Sequence, residues 1–360
     1  MRPTRTLYLT SLLLVTALTG CATGKDDSYG PELQGFKYPY PVERFKFTSQ
    51  GQSLQMGYMD VAPTGKPVDR TIVLMHGKNF CGATWDNSIK ALSANGFRVV
   101  VPDQIGFCTS SKPEAYQYSF QQLAINTHQL LEKLGIKKAT LLGHSTGGML
   151  ATRYALMYPA QTAQLGLVNP IGLEDWKALG VPYRPLEQWA QSERNLTYAG
   201  VRKYQQDNYY GGRWEPAYDR WVDMLVGLFN GPGHPQVVRN SALIWDMIYT
   251  QPVYYEFKDL QVPTLLLIGT ADTTALSRDL ASPEVNAKLG DYKTLGKHVA
   301  QLIPNAKLVE FEGLGHSPQV EEPERFHRAL MQGSDQQQAC GAQRTDRRHG
   351  SGSRNSARML

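Results

Sequence analysis

Charge is sparse in this chain: 19% of its 360 residues are charged, against the usual quarter of a globular protein. That scarcity argues against a disordered or nucleic-acid-coating protein. The formal charge of +5 does not reverse the point. Arg2 and Arg5 supply part of it, and five arginines against two aspartates in 333–360 supply the rest, so the body between them is close to neutral. A neutral body offers little to a phosphate backbone, and no nucleic-acid partner is expected. Cysteine is scarce too, with four in all, and no Cys/His spacing suggests zinc. The apolar run Leu7–Leu18 falls short of the roughly 20 residues that a bilayer-spanning helix needs. No internal repeat is visible. Hydrophobic residues, at 41%, suffice for one sizeable core.

The start of the chain reads as a targeting segment. Arg2 and Arg5 precede the apolar run, as in a secretory signal over residues 1–20. The segment closes on Leu18-Thr19-Gly20-Cys21, which resembles a bacterial lipobox. That resemblance implies lipidation of Cys21 and anchoring to a membrane surface, since two or more acyl chains hold stably. Ala22 after the cysteine leans towards the outer membrane, facing the periplasm. The alternative is an ordinary cleaved signal and a soluble periplasmic or secreted protein. Residues 21–42, rich in Gly, Pro, Lys and Asp, are expected to form a tether. The stretch 333–360, almost without apolar residues, is expected to be disordered. In an oxidising compartment Cys81 and Cys108 could pair or remain two half-buried thiols; both readings stay open.

Arg44–Thr48 and Leu54–Val61 alternate apolar and polar residues like antiparallel edge strands. Thr71–Met75 and Arg98–Pro102 are short continuous apolar runs, and Ala139–Leu142, Leu165–Val168, Thr264–Ile268 and Lys307–Phe311 read as further strands. Such runs suit strands buried on both faces of a parallel sheet. Helical spacing separates them at 84–95, 119–134 and 146–158, and a last helix is expected from Pro323 to about Met331. The fold class is therefore α/β, with a mostly parallel doubly wound sheet. The alternation pauses at Asn169-Pro170 and resumes at Val262-Pro263. The interval 170–260 holds five of the six tryptophans, nine tyrosines and two phenylalanines. It reads as a helical lid inserted into a core of 43–169 and 261–332. Most of its aromatics are expected in the lid's own core, a minority at the active site.

Chemistry concentrates at Gly143-His144-Ser145-Thr146-Gly147-Gly148, a G-x-S-x-G motif between a strand and a helix. That setting lifts a serine above the strand end on a strained turn, and glycines on either side allow close backbone approach. The helix N-terminus beneath favours developing negative charge. A serine needs a base and a group to orient the base. His316 follows the last strand run and Asp272 the one before it, so the order is Ser, Asp, His, as in α/β-hydrolases. Oxyanion donors are expected from the N–H groups of Thr146 and Lys78, each such donor being worth about 2.7–4 kcal/mol of barrier. The Lys78 side chain is expected to be solvated. His144, His76 and His128 read as structural, and His298 is a remote rival base. Asp279 and Asp291 are rival acids that follow no strand. Asp103 follows one and is expected to support the loop 103–113.

His76-Gly77, Asp103-Gln104-Ile105-Gly106-Phe107, Ser110-Ser111-Lys112-Pro113, the serine motif, Asp272, and Gly315-His316 with Glu322-Pro323 resemble the motifs of the lidded α/β-hydrolase superfamily, over roughly residues 42–331. The resemblance implies a hydrolase without metal or organic cofactor, acting on a small-molecule substrate. Its members include carboxylesterases, lactonases, C–C bond hydrolases, proline iminopeptidases, epoxide hydrolases and haloalkane dehalogenases. The last two carry Asp where this chain has Ser145, which disfavours them. His76-Gly77-Lys78-Asn79-Phe80 departs from the glycine-rich loop of proline iminopeptidases and weakens that reading. The expectation is a carboxylic ester or lactone hydrolase for a small, mostly apolar substrate. A C–C hydrolase or a proline iminopeptidase-like enzyme is the alternative, and a non-catalytic ligand-binding lipoprotein a third.

Overall fold

The computed structural model describes residues 27–333. The expected leader, Cys21 and all but the first residue of the expected tail lie outside that span. Eight strands form one sheet: β1 Glu43–Ser49, β2 Gln52–Val61, β3 Thr71–Met75, β4 Arg98–Pro102, β5 Ala139–His144, β6 Thr162–Val168, β7 Thr264–Gly269 and β8 Ala306–Phe311. Their spatial order is β1-β2-β4-β3-β5-β6-β7-β8. β1 and β2 pair antiparallel, and β2 pairs antiparallel with β4. Every other pairing is parallel. This is the mostly parallel, doubly wound α/β sheet that the alternation of runs and helices predicts.

The strand runs lack polar alternation because both sheet faces are covered. Val73 and Met75 point into one buried cluster, together with Leu123 and Leu130 of α2 (Phe120–Lys133) and Met149 and Tyr154 of α3 (Thr146–Met157). Ile72 and Leu74 point the other way, onto Ile89 and Leu92 of α1 (Asp86–Ala94) and Phe326 and Leu330 of the last helix, 323–333. That helix runs through Gly333, so the expected tail gives up its first residue to the core, where Gly333 abuts Leu265.

Between β6 and β7 the chain leaves the sheet for four helices, α4 Leu186–Arg194, α5 Tyr198–Tyr204, α6 Asp219–Phe229 and α7 His234–Thr250. Trp189 of α4 stacks on Trp245 of α7 with ring centroids 5.0 Å apart. Trp214 packs on Tyr210 and Tyr218 inside the insertion itself. Among the described residues no helix is long and apolar enough to cross a membrane.

Part of the expected tether is docked. Leu33 is buried, Tyr29 N–H donates to the Gly227 carbonyl, and Tyr38 Oη donates to Asp103 at 2.6 Å. Composition concealed this because a few aromatics and one leucine, spaced irregularly, provide the attachment.

Cys81 and Cys108 sit on the loops that follow the neighbouring strands β3 and β4, and they form a disulfide with a Cα–Cα distance of 5.8 Å. Closing a loop of 27 residues removes unfolded-state entropy worth about 3–4 kcal/mol. Replacing both cysteines by serine should lower the free energy of urea unfolding by about that amount. A midpoint and slope matching the oxidised wild type would contradict this.

Candidate active site

Ser145 lies between the end of β5 and the start of α3, with φ 57° and ψ −123°. A non-glycine residue in this left-handed region costs of order 1–3 kcal/mol, so the surroundings must impose it. Backbone crowds closely on either side of it. A Cβ on Gly147 would lie 2.2 Å from the Met75 carbonyl oxygen, and one on Gly143 would lie 2.2 Å from the Gly147 carbonyl oxygen. Glycines two residues either side of the serine are thus required by contact. Ser145 N–H donates to the Val168 carbonyl at 3.1 Å, and its own carbonyl accepts from Gly148 N–H at 2.9 Å. Gly77, on the loop after β3, sits against the serine: a Cβ there would come within 2.9 Å of Ser145 Cβ.

The loops after β7 and β8 bring Asp272 and His316 together. His316 Nδ1–H donates to Asp272 Oδ2 at 2.6 Å, and both side chains are wholly buried. The same carboxylate accepts from Asn169 Nδ2 at 2.9 Å and, at Oδ1, from Thr274 N–H at 2.8 Å. A buried carboxylate is tolerated when donors replace its water. The proton on Nδ1 is assigned from its acceptor, and in the neutral ring it leaves the lone pair on Nε2. Nε2 is buried and makes no hydrogen bond in the structure. Asp272 and His316 are therefore in direct contact, and Ser145, next in the chain to the His144 that packs on the His316 ring, makes no hydrogen bond to the imidazole. Catalytic hydrogen bonds are often loose in unliganded enzymes.

The ring of His316 is packed between Tyr209 and His144, with centroids 4.8 Å away in each case. His144 Nε2–H donates to the His316 carbonyl at 2.8 Å. Burial, then the neighbouring His316, hold the pKa of His144 well below the ordinary histidine value, so it acts as a neutral brace from the serine turn to the histidine loop. The insertion supplies further ties: His316 N–H donates to the Asn208 carbonyl at 3.3 Å and Ser317 N–H to the Tyr209 carbonyl at 3.2 Å. Glu321, pushed up to about 7 by burial, accepts from Gly315 N–H at 2.7 Å and from Arg213 of the insertion at 3.0 Å.

Ser145, Thr146 and Lys78 line one cavity of about 440 Å³, within the range of small-molecule sites. Trp176, Trp189 and Trp245 of the aromatic interval also face it. Thr146 opens α3, so its N–H has no intrahelical acceptor. The Lys78 side chain, expected in solvent, is instead buried. Its Nζ lies 3.0 Å from both carboxylate oxygens of Glu193 in α4. An acid on an inserted helix captures it, a partner 115 positions away in sequence.

The rivals have other duties. His76 Nδ1–H donates to the Gly77 carbonyl at 2.8 Å while Nε2 accepts from Gln104 N–H at 3.1 Å, which braces the loop. Asp103 accepts from Gly82 N–H at 2.7 Å and from Thr109, tying down its own loop. Asp279 pairs with Arg184, Asp291 caps the helix Tyr292–Leu302, His298 bonds Tyr254, and His128 stacks on Tyr158. Asn169, Glu193 and Glu321 escaped the reading of the sequence. Asn169 alone had a local signal, since it directly follows a strand run on the same sheet edge as Ser145 and Asp272.

The alpha/beta hydrolase fold family matches this chain over residues 70–323. The crystal structure of a probable hydrolytic enzyme from Pseudomonas aeruginosa PAO1 is 58% identical, covers 86% of this chain and 98% of its own, and superposes with a TM-score of 0.85. Lipase 3 of Moraxella sp. (strain TA144) is 28% identical over 72% of this chain and 74% of its own length. Lipase 1 of Psychrobacter immobilis is 27% identical over 78% and 82%.

Asn169 holds Asp272 with one hydrogen bond and accepts from Gly269 N–H at 2.8 Å with its other end. A hydrogen bond to a charged group is worth about 1.5–3 kcal/mol, so Asn169→Ala should lower the free energy of urea unfolding by about that amount. A wild-type value would show that Asp272 is held adequately without it.

Proposed function

Because this chain belongs to the alpha/beta hydrolase family, we propose that it is a serine hydrolase of carboxylic esters or lactones, with Ser145 as nucleophile, His316 as base and Asp272 as the orienting acid. The observation that carries this reading is the buried His316–Asp272 hydrogen bond together with a serine held on a strained strand-to-helix turn. Ser145 Oγ attacks the substrate carbonyl while His316 Nε2 takes its proton. The Thr146 and Lys78 N–H groups receive the oxyanion. His316 returns the proton to the leaving alcohol, and water then hydrolyses the acyl-enzyme by the same route in reverse. Asp272 keeps the proton on Nδ1 and stabilises the imidazolium without itself taking a proton.

The ester reading is supported by the two lipases to which the chain is similar. Aromatic walls, with the charges of Lys78 and Arg184 met by Glu193 and Asp279 and Arg278 donating to backbone carbonyls and Asn286, suit a small, mostly apolar acyl or alkyl group. The insertion is read as the lid over this cavity. Cys21 is read as a lipid anchor to a bacterial membrane. Incorporation of a palmitate analogue into wild type but not Cys21→Ser is the expected result, and equal labelling of both removes the anchor.

A fluorophosphonate probe should label the wild type and leave Ser145→Ala unlabelled. Asp272→Asn should lower kcat on p-nitrophenyl esters by about 10⁴-fold, through the wrong histidine tautomer. Equal labelling of Ser145→Ala, or turnover of Pro-arylamides with none of esters or lactones, would overturn the assignment.

A further inference from the structure

The buried Lys78–Glu193 pair plays no part in the proton transfers above. Lys78 Nζ is 3.0 Å from each Glu193 oxygen, and the two side chains are only 7% and 6% exposed. Glu193 also accepts from Trp245 Nε1 at 2.7 Å and from Ser241 Oγ, both on α7. The ammonium lies over the Trp245 ring, 4.2 Å from its centroid. Burial alone pulls the Lys78 pKa down, and Glu193 pushes back.

Stability is a poor explanation for such a pair. Two charges taken out of water lose about as much as their attraction returns, and well-packed apolar residues often serve as well. The contact between α4 and α7 already has the Trp189–Trp245 stack. What the pair does supply is a fixed position for one loop. Lys78 belongs to the segment between β3 and Cys81, which His76 braces at its start, donating from Nδ1–H to the Gly77 carbonyl and accepting at Nε2 from Gln104 N–H, and which one turn closes, Phe80 N–H to the Gly77 carbonyl. Its other holds come from elsewhere: Asn79 Nδ2 donates to Tyr209 Oη of the insertion at 3.1 Å, and Cys81 is tied to Cys108. At Lys78 and Asn79 the segment is thus clamped by side chains from the helical insertion.

We propose that Glu193 is a positioning residue that fixes the Lys78 N–H through the Lys78 side chain, so that docking of the inserted helices completes the oxyanion site. This rests on the serine-hydrolase reading. An insertion lifted from the sheet would carry Glu193 away and leave the loop free, so lid docking and catalytic competence are linked.

The test uses the full chain as wild type, Glu193→Gln, and the double variant Lys78→Met/Glu193→Leu. It measures the urea midpoint, kcat and KM on p-nitrophenyl butyrate, and inhibition by a trifluoromethyl ketone, which forms a tetrahedral alkoxide on the serine. The double variant leaves no unpaired buried charge but removes the acceptor of Trp245 Nε1 and Ser241 Oγ, so it should fold with a somewhat lower urea midpoint than wild type. Its kcat should nonetheless fall 10- to 100-fold with KM within about threefold, short of the full 10²–10³ for losing a donor outright. The ketone affinity should fall by the same factor as kcat/KM. Glu193→Gln, which keeps the shape of the side chain, should show the same kcat-only loss if the double variant does not fold. A stable double variant with wild-type kcat, or a loss confined to KM, overturns the positioning role alone. A wild type inert to esters and to fluorophosphonate overturns the parent reading and this one with it.

Discussion

A carboxylate and an imidazole, both shut away from water, hold this site together. Asp272 is stable in the interior only because His316, Asn169 and the Thr274 N–H surround it with donors. Those donors come from the ends of β8 and β6 and from its own loop after β7, so the bond exists only when the three strands are in register. Their pairing supplies that register, with Val168 opposite Leu267 and Gly269 opposite Phe311. A parallel sheet delivers all these chain ends to one edge, which is where open α/β folds place their ligands. The serine turn reaches the same edge from β5.

Around this centre, the close packing that strains Ser145 also limits what can stand next to it. Gly143 and Gly147 leave no room for a side chain, and Gly77 brings the loop after β3 against the serine. The remaining walls come from the helical insertion and from the loop after β7, Thr274 to Asp279. Its Asn208 and Tyr209 carbonyls receive the His316 and Ser317 N–H groups, and its Glu193 holds Lys78. The insertion therefore contacts both the loop of His316 and the loop of Lys78, and it lines the cavity.

Much of this was legible from the order of residues. Thr71–Met75 and Arg98–Pro102 coincide with β3 and β4, because strands buried on both faces must be apolar throughout. Ser145, Asp272 and His316 each follow a strand run, which is a local property. What escaped was non-local. Asn169 lies 103 positions from the carboxylate it holds, and Glu193 lies 115 from Lys78. No spacing rule links residues so far apart. An isolated lysine such as Lys78 belongs in solvent, and only the docked helix reverses that. The docking of 27–42 is illegible for a related reason: sparse anchors such as Leu33 and Tyr38 are enough to attach a segment whose overall composition is polar.

The central claim, that an alcohol at the strand edge carries the acyl group, is tested most directly by trapping the intermediate. Rapid acid quench during turnover of a p-nitrophenyl ester, followed by peptide mass mapping, should find the acyl mass on the peptide that contains Ser145 and on no other. Steady turnover with no acylated peptide, or with the acyl group on another side chain, would contradict the account.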